Sequence, residues 1–233
     1  MFGKRTKDVI ISYKNLRRLI GILGISLPFL CLLGLLITWT PLQPSISHCY
    51  YTNVRDVFVG IMIGVSMFLI TYNGYDAIDD IITNITGIAG ITLALCPCLF
   101  SYAHPELNQV IGYFNFNPYL SNDIHITCAS LFFILLAFNS IFLFTRTDTT
   151  ISVNKKIRNV IYVVCGLTMT ALMIALAVIH YIMGDVNFDE TPIAFIIESF
   201  ILFAFGISWL VKGETIFRDK ANTTNNNNSS GKT

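Results

Sequence analysis

The sequence predicts an all-α, polytopic transmembrane helix bundle with six spans and both termini on the cytoplasmic side. Three observations carry that prediction. The chain of 233 residues is 54% hydrophobic and only 12% charged, about half the charged fraction of a soluble domain. Six apolar runs, near 19–39, 57–74, 81–100, 124–145, 159–183 and 192–211, approach or reach the ~20 residues that a helix needs to cross a bilayer. Of the 15 Lys and Arg residues, all but Arg55 fall in segments that six crossings place on one side, and a Lys/Arg excess marks the cytoplasmic side.

Each run is read as a helix because a backbone in hydrocarbon must satisfy its own hydrogen bonds. The first run follows a basic segment, 1–18, and lacks a small-residue cleavage site, so it reads as a retained span. Asp79–Asp80 is expected to open span three, Asn122–Asp123 span four and Thr191–Pro192 span six, through capping, dipole-favourable acids and a first-turn proline. Gly213 stands where span six should end. The outer connections are 40–56, 101–123 and 184–191, and 101–123 is long enough to cover the outer mouth. The transmembrane domain is thus 19–213, and the Asn-rich segment 214–233 is expected to be a disordered cytoplasmic tail.

Helices in lipid associate through small residues and polar contacts. Gly60-x-x-x-Gly64 in span two, Thr86-x-x-x-Gly90-x-x-x-Ala94 in span three, and Gly21 with Gly24 in span one are the expected close-approach faces. Asp56 shares the Gly60/Gly64 stripe, which would turn it toward the outer rim of the bundle. Asn84, Asn139 and Thr168 are expected to bond between helices.

The candidate site lies at the outer end. His180 and Glu198 are ionisable residues inside apolar runs of adjacent spans, at similar depth and within reach of pairing, and such residues mark functional sites by default. His48, His125, Asp56 and Arg55 join them as pocket candidates. All four histidines, including His104, fall on this outer half. So do Cys49, Cys96, Cys98 and Cys128, which as thiols are either core residues, disulfide partners or, with imidazole, zinc or copper ligands. None of them has the spacing of a defined metal motif, so no cofactor is expected. No phosphate loop, nucleophile elbow or zincin motif occurs, and no basic aromatic patch suggests nucleic acid.

The segments Arg55-Asp56-Val57-Phe58-Val59-Gly60, the acidic turn ending at Asp79–Asp80, and Trp209-Leu210-Val211-Lys212-Gly213-Glu214 resemble a family of bacterial six-span membrane proteins to which no activity attaches. The resemblance covers nearly all six spans and implies a bacterial inner-membrane protein. Set beside alkaline-ceramidase-like membrane hydrolases, which hold zinc with three histidines, the chain keeps only a loose echo in Ser47, His48, Asp56 and His180. The first functional expectation is therefore a non-enzymatic membrane protein whose outer pocket binds a lipid headgroup, a small solute or a partner. The alternative is an outward-facing, metal-dependent hydrolase acting on lipid.

Overall fold

The computed structural model describes residues 2–74, 76–112, 114, 117–146 and 153–215, with side chains from residue 13 onward. The tail 216–233, part of the aromatic stretch 113–120, and the side chains of Lys4, Arg5 and Lys7 lie outside the described residues. Among the described residues there is no strand. Six helices follow in order: α1 (Phe2–Ile37), α2 (Arg55–Ile70), α3 (Ala77–Leu95), α4 (Pro118–Phe138), α5 (Val153–Asp189) and α6 (Ile193–Lys212). A short 3₁₀ turn, Ser47–Tyr51, precedes α2, and a π turn, Asn139–Leu143, extends α4. Each helix packs on its neighbours in the chain, and α6 returns against α1, so the six form a closed ring.

Five of these helices are long and apolar enough to cross a membrane. The exception is α2, whose 16 residues reach about 24 Å at 1.5 Å per residue. It still runs the length of the bundle. Arg55 at its start donates to Tyr50 in the 3₁₀ turn, and Tyr72 just past its end accepts from Arg17 in the first half of α1. Large apolar side chains such as Phe29, Leu36, Ile88 and Ile174 are exposed around the outside of the ring, as a lipid-facing surface requires.

The two ends differ. At the end holding the start of α1, Lys14 bonds Glu214 at 2.6 Å, Arg18 donates to the Gly213 carbonyl, and Arg146 reaches across to the start of α3. Beneath this basic end sits an aromatic plug. Trp209 is fully buried, with ring centroids 5.0 Å from Phe144 and 5.2 Å from Tyr72. Edge-on pairs of this kind are each worth about 0.5–1.5 kcal/mol beyond their buried area.

Close approach of helices is set by different glycines from those the small-residue spacing picks in span two. A Cβ on Gly60 would meet nothing within 4 Å, and one on Gly64 would meet only Leu23, at 3.8 Å. That stripe is therefore not a tight contact face, and Asp56 on it is exposed. The tight crossings are α1 on α6, where a Cβ on Gly21 would stand 2.7 Å from the Gly206 carbonyl oxygen, and α2 on α3, where one on Gly87 would stand 2.6 Å from that of Ser66. Gly24, Thr86, Gly90 and Ala94 do lie in buried contacts, as their spacing suggests.

Helix starts also shift. Asp76, not Asp79 or Asp80, caps α3 by accepting from the Ile78 and Asp79 amides. Those amide bonds, with Arg146 beside them, hold the Asp76 carboxyl below its ordinary range. Arg146 lies 2.9 Å from Asp76 and 3.2 Å from Asp79, so the base that the acidic turn lacks in sequence comes from just past the π turn that extends α4. Asn117 caps α4, ahead of the expected Asn122–Asp123. Gly213 is the cap residue that ends α6. Thr168 is exposed, and the buried Asn139 amide and Asn84 oxygen have no hydrogen-bond partner, so these three do not tie helices together as expected.

Candidate functional site

At the opposite end, the chain between α1 and α2 folds inward over the ring. Pro44 accepts a hydrogen bond from the Phe195 amide at the start of α6, and Glu198, one turn further on, accepts from the Ile46 amide at 2.8 Å. Ser45 and Ile46 lead into the 3₁₀ turn, and Ser45 Oγ accepts from the His48 amide. These bonds hold His48 and Ser47 inside the mouth of the ring rather than in a surface loop.

The start of α4 clasps the turn that follows α3. Ser121 Oγ donates to the Pro97 carbonyl, Asn122 Oδ1 accepts from the Leu99 amide, and His125 Nδ1 lies 2.9 Å from the Leu93 carbonyl oxygen and 2.7 Å from that of Cys96. The last carbonyls of a helix have no partner inside it, so this imidazole serves the C-terminus of α3. Carbonyls only accept, which places the ring proton on Nδ1. In the neutral ring Nε2 is then an acceptor, and it faces Ser47 Oγ at 3.0 Å.

Helix α5 contributes through a break. Gly184 has φ 73° and ψ 161°, a conformation that is essentially restricted to glycine. Beyond it the chain turns back, so that Asp185 lies 2.9 Å from His180 Nε2 and the Phe188 ring packs on the His180 ring. The same turn carries Asp189 to 3.2 Å from His48 Nε2. The His48 N–H points off that line, so the contact is an ion pair rather than an aligned hydrogen bond. Burial opposes charge on His48, but the facing Cys98 sulfur and Asp189 carboxylate outweigh it and raise its pKa from 6.5 to about 10. His48 Nδ1 meets Ser45 Oγ at 2.7 Å.

These groups line one cavity of about 300 Å³. His48, His125, His180 and Glu198 all face it, joined by Asp189, Ser45 and Ser47. His180 and Glu198 do not pair with each other, because Asp185 and the Ile46 amide are their respective partners. Asp56 and Arg55 are not part of the lining: Asp56 is exposed, and the Arg55 guanidinium lies over the Tyr50 ring at 4.1 Å. His104 is exposed beside Glu106.

Below this polar rim the walls become apolar. Phe133 on α4 and Met173 and Leu176 on α5 line the deeper part. From His125 to Phe133, and from His180 to Met173, the helices descend about 10–12 Å at 1.5 Å per residue. The cavity is open on the flank between α4 and α5, where lining residues Ile126 (47% exposed), Ser130 and Ala177 are exposed.

The cysteines divide. Cys98 lines the cavity, 3.8 Å from His48 Nδ1. Cys49 is fully buried against Cys31, and that hydrogen bond together with burial pushes its thiol up, away from the reactive thiolate. All six cysteines are free thiols. Among the described residues, no three His, Cys, Asp or Glu side chains come together as a metal-holding group, so Cys49, Cys96, Cys98, His104 and Cys128 do not form the ligand cluster their types allow.

No family model matches the chain, no curated protein matches it, and no solved structure matches it.

Proposed function

We propose that this chain is a multi-pass membrane protein whose outer-end cavity receives a lipid, with the polar head at the His48–Asp189 rim and the acyl part against Phe133 and Met173. The observation that carries this reading is the graded lining: polar at the mouth, apolar about 10 Å deeper, and open sideways between α4 and α5. A soluble solute has no use for a side opening onto hydrocarbon, whereas an amphiphile enters through it without leaving the bilayer. Cavities for small molecules are mostly apolar with a few placed polar groups, and intramembrane ionisable residues cluster where polar ligands bind.

Orientation follows from charge. Arg17, Arg18, Arg146 and Lys212 share the end that holds the start of α1, and a basic excess favours the cytoplasm. Both termini are therefore assigned to the cytoplasmic side and the cavity to the outer leaflet, with α2 as the sixth crossing. The resemblance of the RDVFVG and WLVKGE segments favours a bacterial inner membrane.

Native mass spectrometry of the full chain released from membranes tests the reading. Wild-type protein should retain a bound lipid, and Ala177→Trp, which fills the flank opening, should lose it while remaining folded. Equal retention by both proteins, or no retained lipid in either, contradicts the proposal.

A further inference from the structure

We propose that Ser47 and His125 form a nucleophile–base pair that cleaves an ester of the lipid held in the cavity. This inference rests on the lipid-pocket reading above and adds an activity to it. Ser47 Oγ faces His125 Nε2 at 3.0 Å, and both residues line the cavity. The Leu93 and Cys96 carbonyls fix the tautomer by accepting from Nδ1–H. Nucleophile, base and an orienting acceptor within hydrogen-bond reach are the geometric signature of an activated serine. Carbonyl oxygens here hold the ring as a carboxylate does in other arrangements.

A competing arrangement in the same cavity does not meet the chemical requirement. Ser45, His48 and Asp189 also lie in a chain of contacts, at 2.7 and 3.2 Å. His48 turns Nε2 to the Asp189 carboxylate and Nδ1 to Ser45 Oγ, an arrangement that favours the charged ring and leaves no ring nitrogen turned to Ser47 to take its proton. Its positive charge instead suits the oxyanion that develops when Ser47 attacks a carbonyl. The two histidines thus take separate roles: His125 as base and His48 as a fixed cation beside it.

The reaction balances without a further reagent except water. His125 Nε2 takes the Ser47 hydroxyl proton as Oγ bonds to the ester carbonyl carbon. The ester C–O bond then breaks, and the departing alkoxide takes that proton from Nε2, leaving an acyl-Ser47. Water adds to the acyl carbon while giving a proton to Nε2. Ser47 Oγ then leaves, recovers the proton, and the products are a fatty acid and an alcohol that keeps the polar head. The ester linkage of a membrane lipid sits between head and tails, and Ser47 sits between the polar rim and the apolar depth of the cavity.

The test uses the full chain in lipid nanodiscs with an alkyl fluorophosphonate, whose phosphorus a nucleophilic serine attacks with loss of fluoride. Mass mapping of the wild-type adduct should find Ser47 modified and Ser45 unmodified. His125→Gln should slow labelling about 100-fold or more, the usual worth of a general base, while His104→Gln, at an exposed histidine outside the cavity lining, should label normally. Since the adduct is mapped on the wild-type chain, the result does not depend on a variant folding. No adduct at Ser47 in protein that retains lipid by native mass spectrometry overturns the pair and leaves the pocket reading standing. No adduct together with no retained lipid overturns both.

Discussion

Asp189, at the end of α5, sits 3.2 Å from His48 Nε2 in the chain between α1 and α2, and both side chains are nearly buried. The contact joins two connections that are far apart in sequence and closes the rim of the cavity. It exists because Gly184 turns the chain back over the mouth.

The pH dependence of that rim follows from the raised pKa of His48, about 10 when folded against 6.5 ordinarily. A group whose folded pKa is raised contributes stability that is complete below the unfolded value. That contribution declines above pH 6.5 and is gone once pH passes the folded value. Thermal midpoints of the wild type should therefore fall as pH rises from about 6.5 to 10 more than those of His48→Gln. A His48→Gln curve parallel to the wild type would contradict the ion pair.

Gly184 should tolerate no side chain, although space is open around it: a Cβ there would meet nothing within 4 Å. Its φ of 73° and ψ of 161° would cost another residue about 1–3 kcal/mol. Gly184→Ala should lower stability by that amount and speed hydrogen exchange at residues 185–189, because the turn that delivers Asp189 is strained. Unchanged exchange in this segment would refute the role given to the break.

The glycine contacts make a paired forecast. Gly21→Ala drives a Cβ to 2.7 Å from the Gly206 carbonyl oxygen and should destabilise by about 1–3 kcal/mol through overpacking. Gly60→Ala meets nothing within 4 Å and should stabilise by about 0.5–1 kcal/mol through helix propensity alone. Denaturation of both variants in detergent checks the order; the reverse order would show that α1 and α6 do not cross at Gly21.

Glu198 holds the inner turn by accepting from the Ile46 amide at 2.8 Å. Glu198→Ala leaves that amide unpartnered and should cost about 1–3 kcal/mol. Glu198→Gln keeps an acceptor oxygen and should recover most of the loss. If Gln behaves like Ala in thermal unfolding, the carboxylate does something other than accept this bond.

The sequence makes much of this architecture readable, because lipid imposes a simple rule on composition and length. The apolar runs locate the helices, and His48, His125, His180 and Glu198 stand out as ionisable groups at one end. Pairing was harder to read. Gly206, which makes the tight crossing with Gly21, has Leu202 and Leu210 rather than small residues four positions away in α6, so spacing gives no signal there. Asp56 shares a stripe with Gly60 but no helix covers it. Asp189 lies beyond the end of the apolar run and reaches the cavity only through the positive φ of Gly184. A glycine in a polar connection is a hint of such a turn, but its direction is a tertiary property. Ser47 was visible beside His48, yet its partner His125 is set by the clasp of α4 on the turn after α3.

Site-resolved photocrosslinking tests the central claim most directly. Two phospholipid probes are reconstituted with the full chain, one with the photoreactive group at the head and the other with it midway along an acyl chain. The head probe should label the rim near His48 and Asp189, and the acyl probe should label Phe133 and Met173, with both signals lost in Ala177→Trp. Labelling spread evenly around the exposed faces of all six helices, unchanged by that substitution, would contradict the pocket.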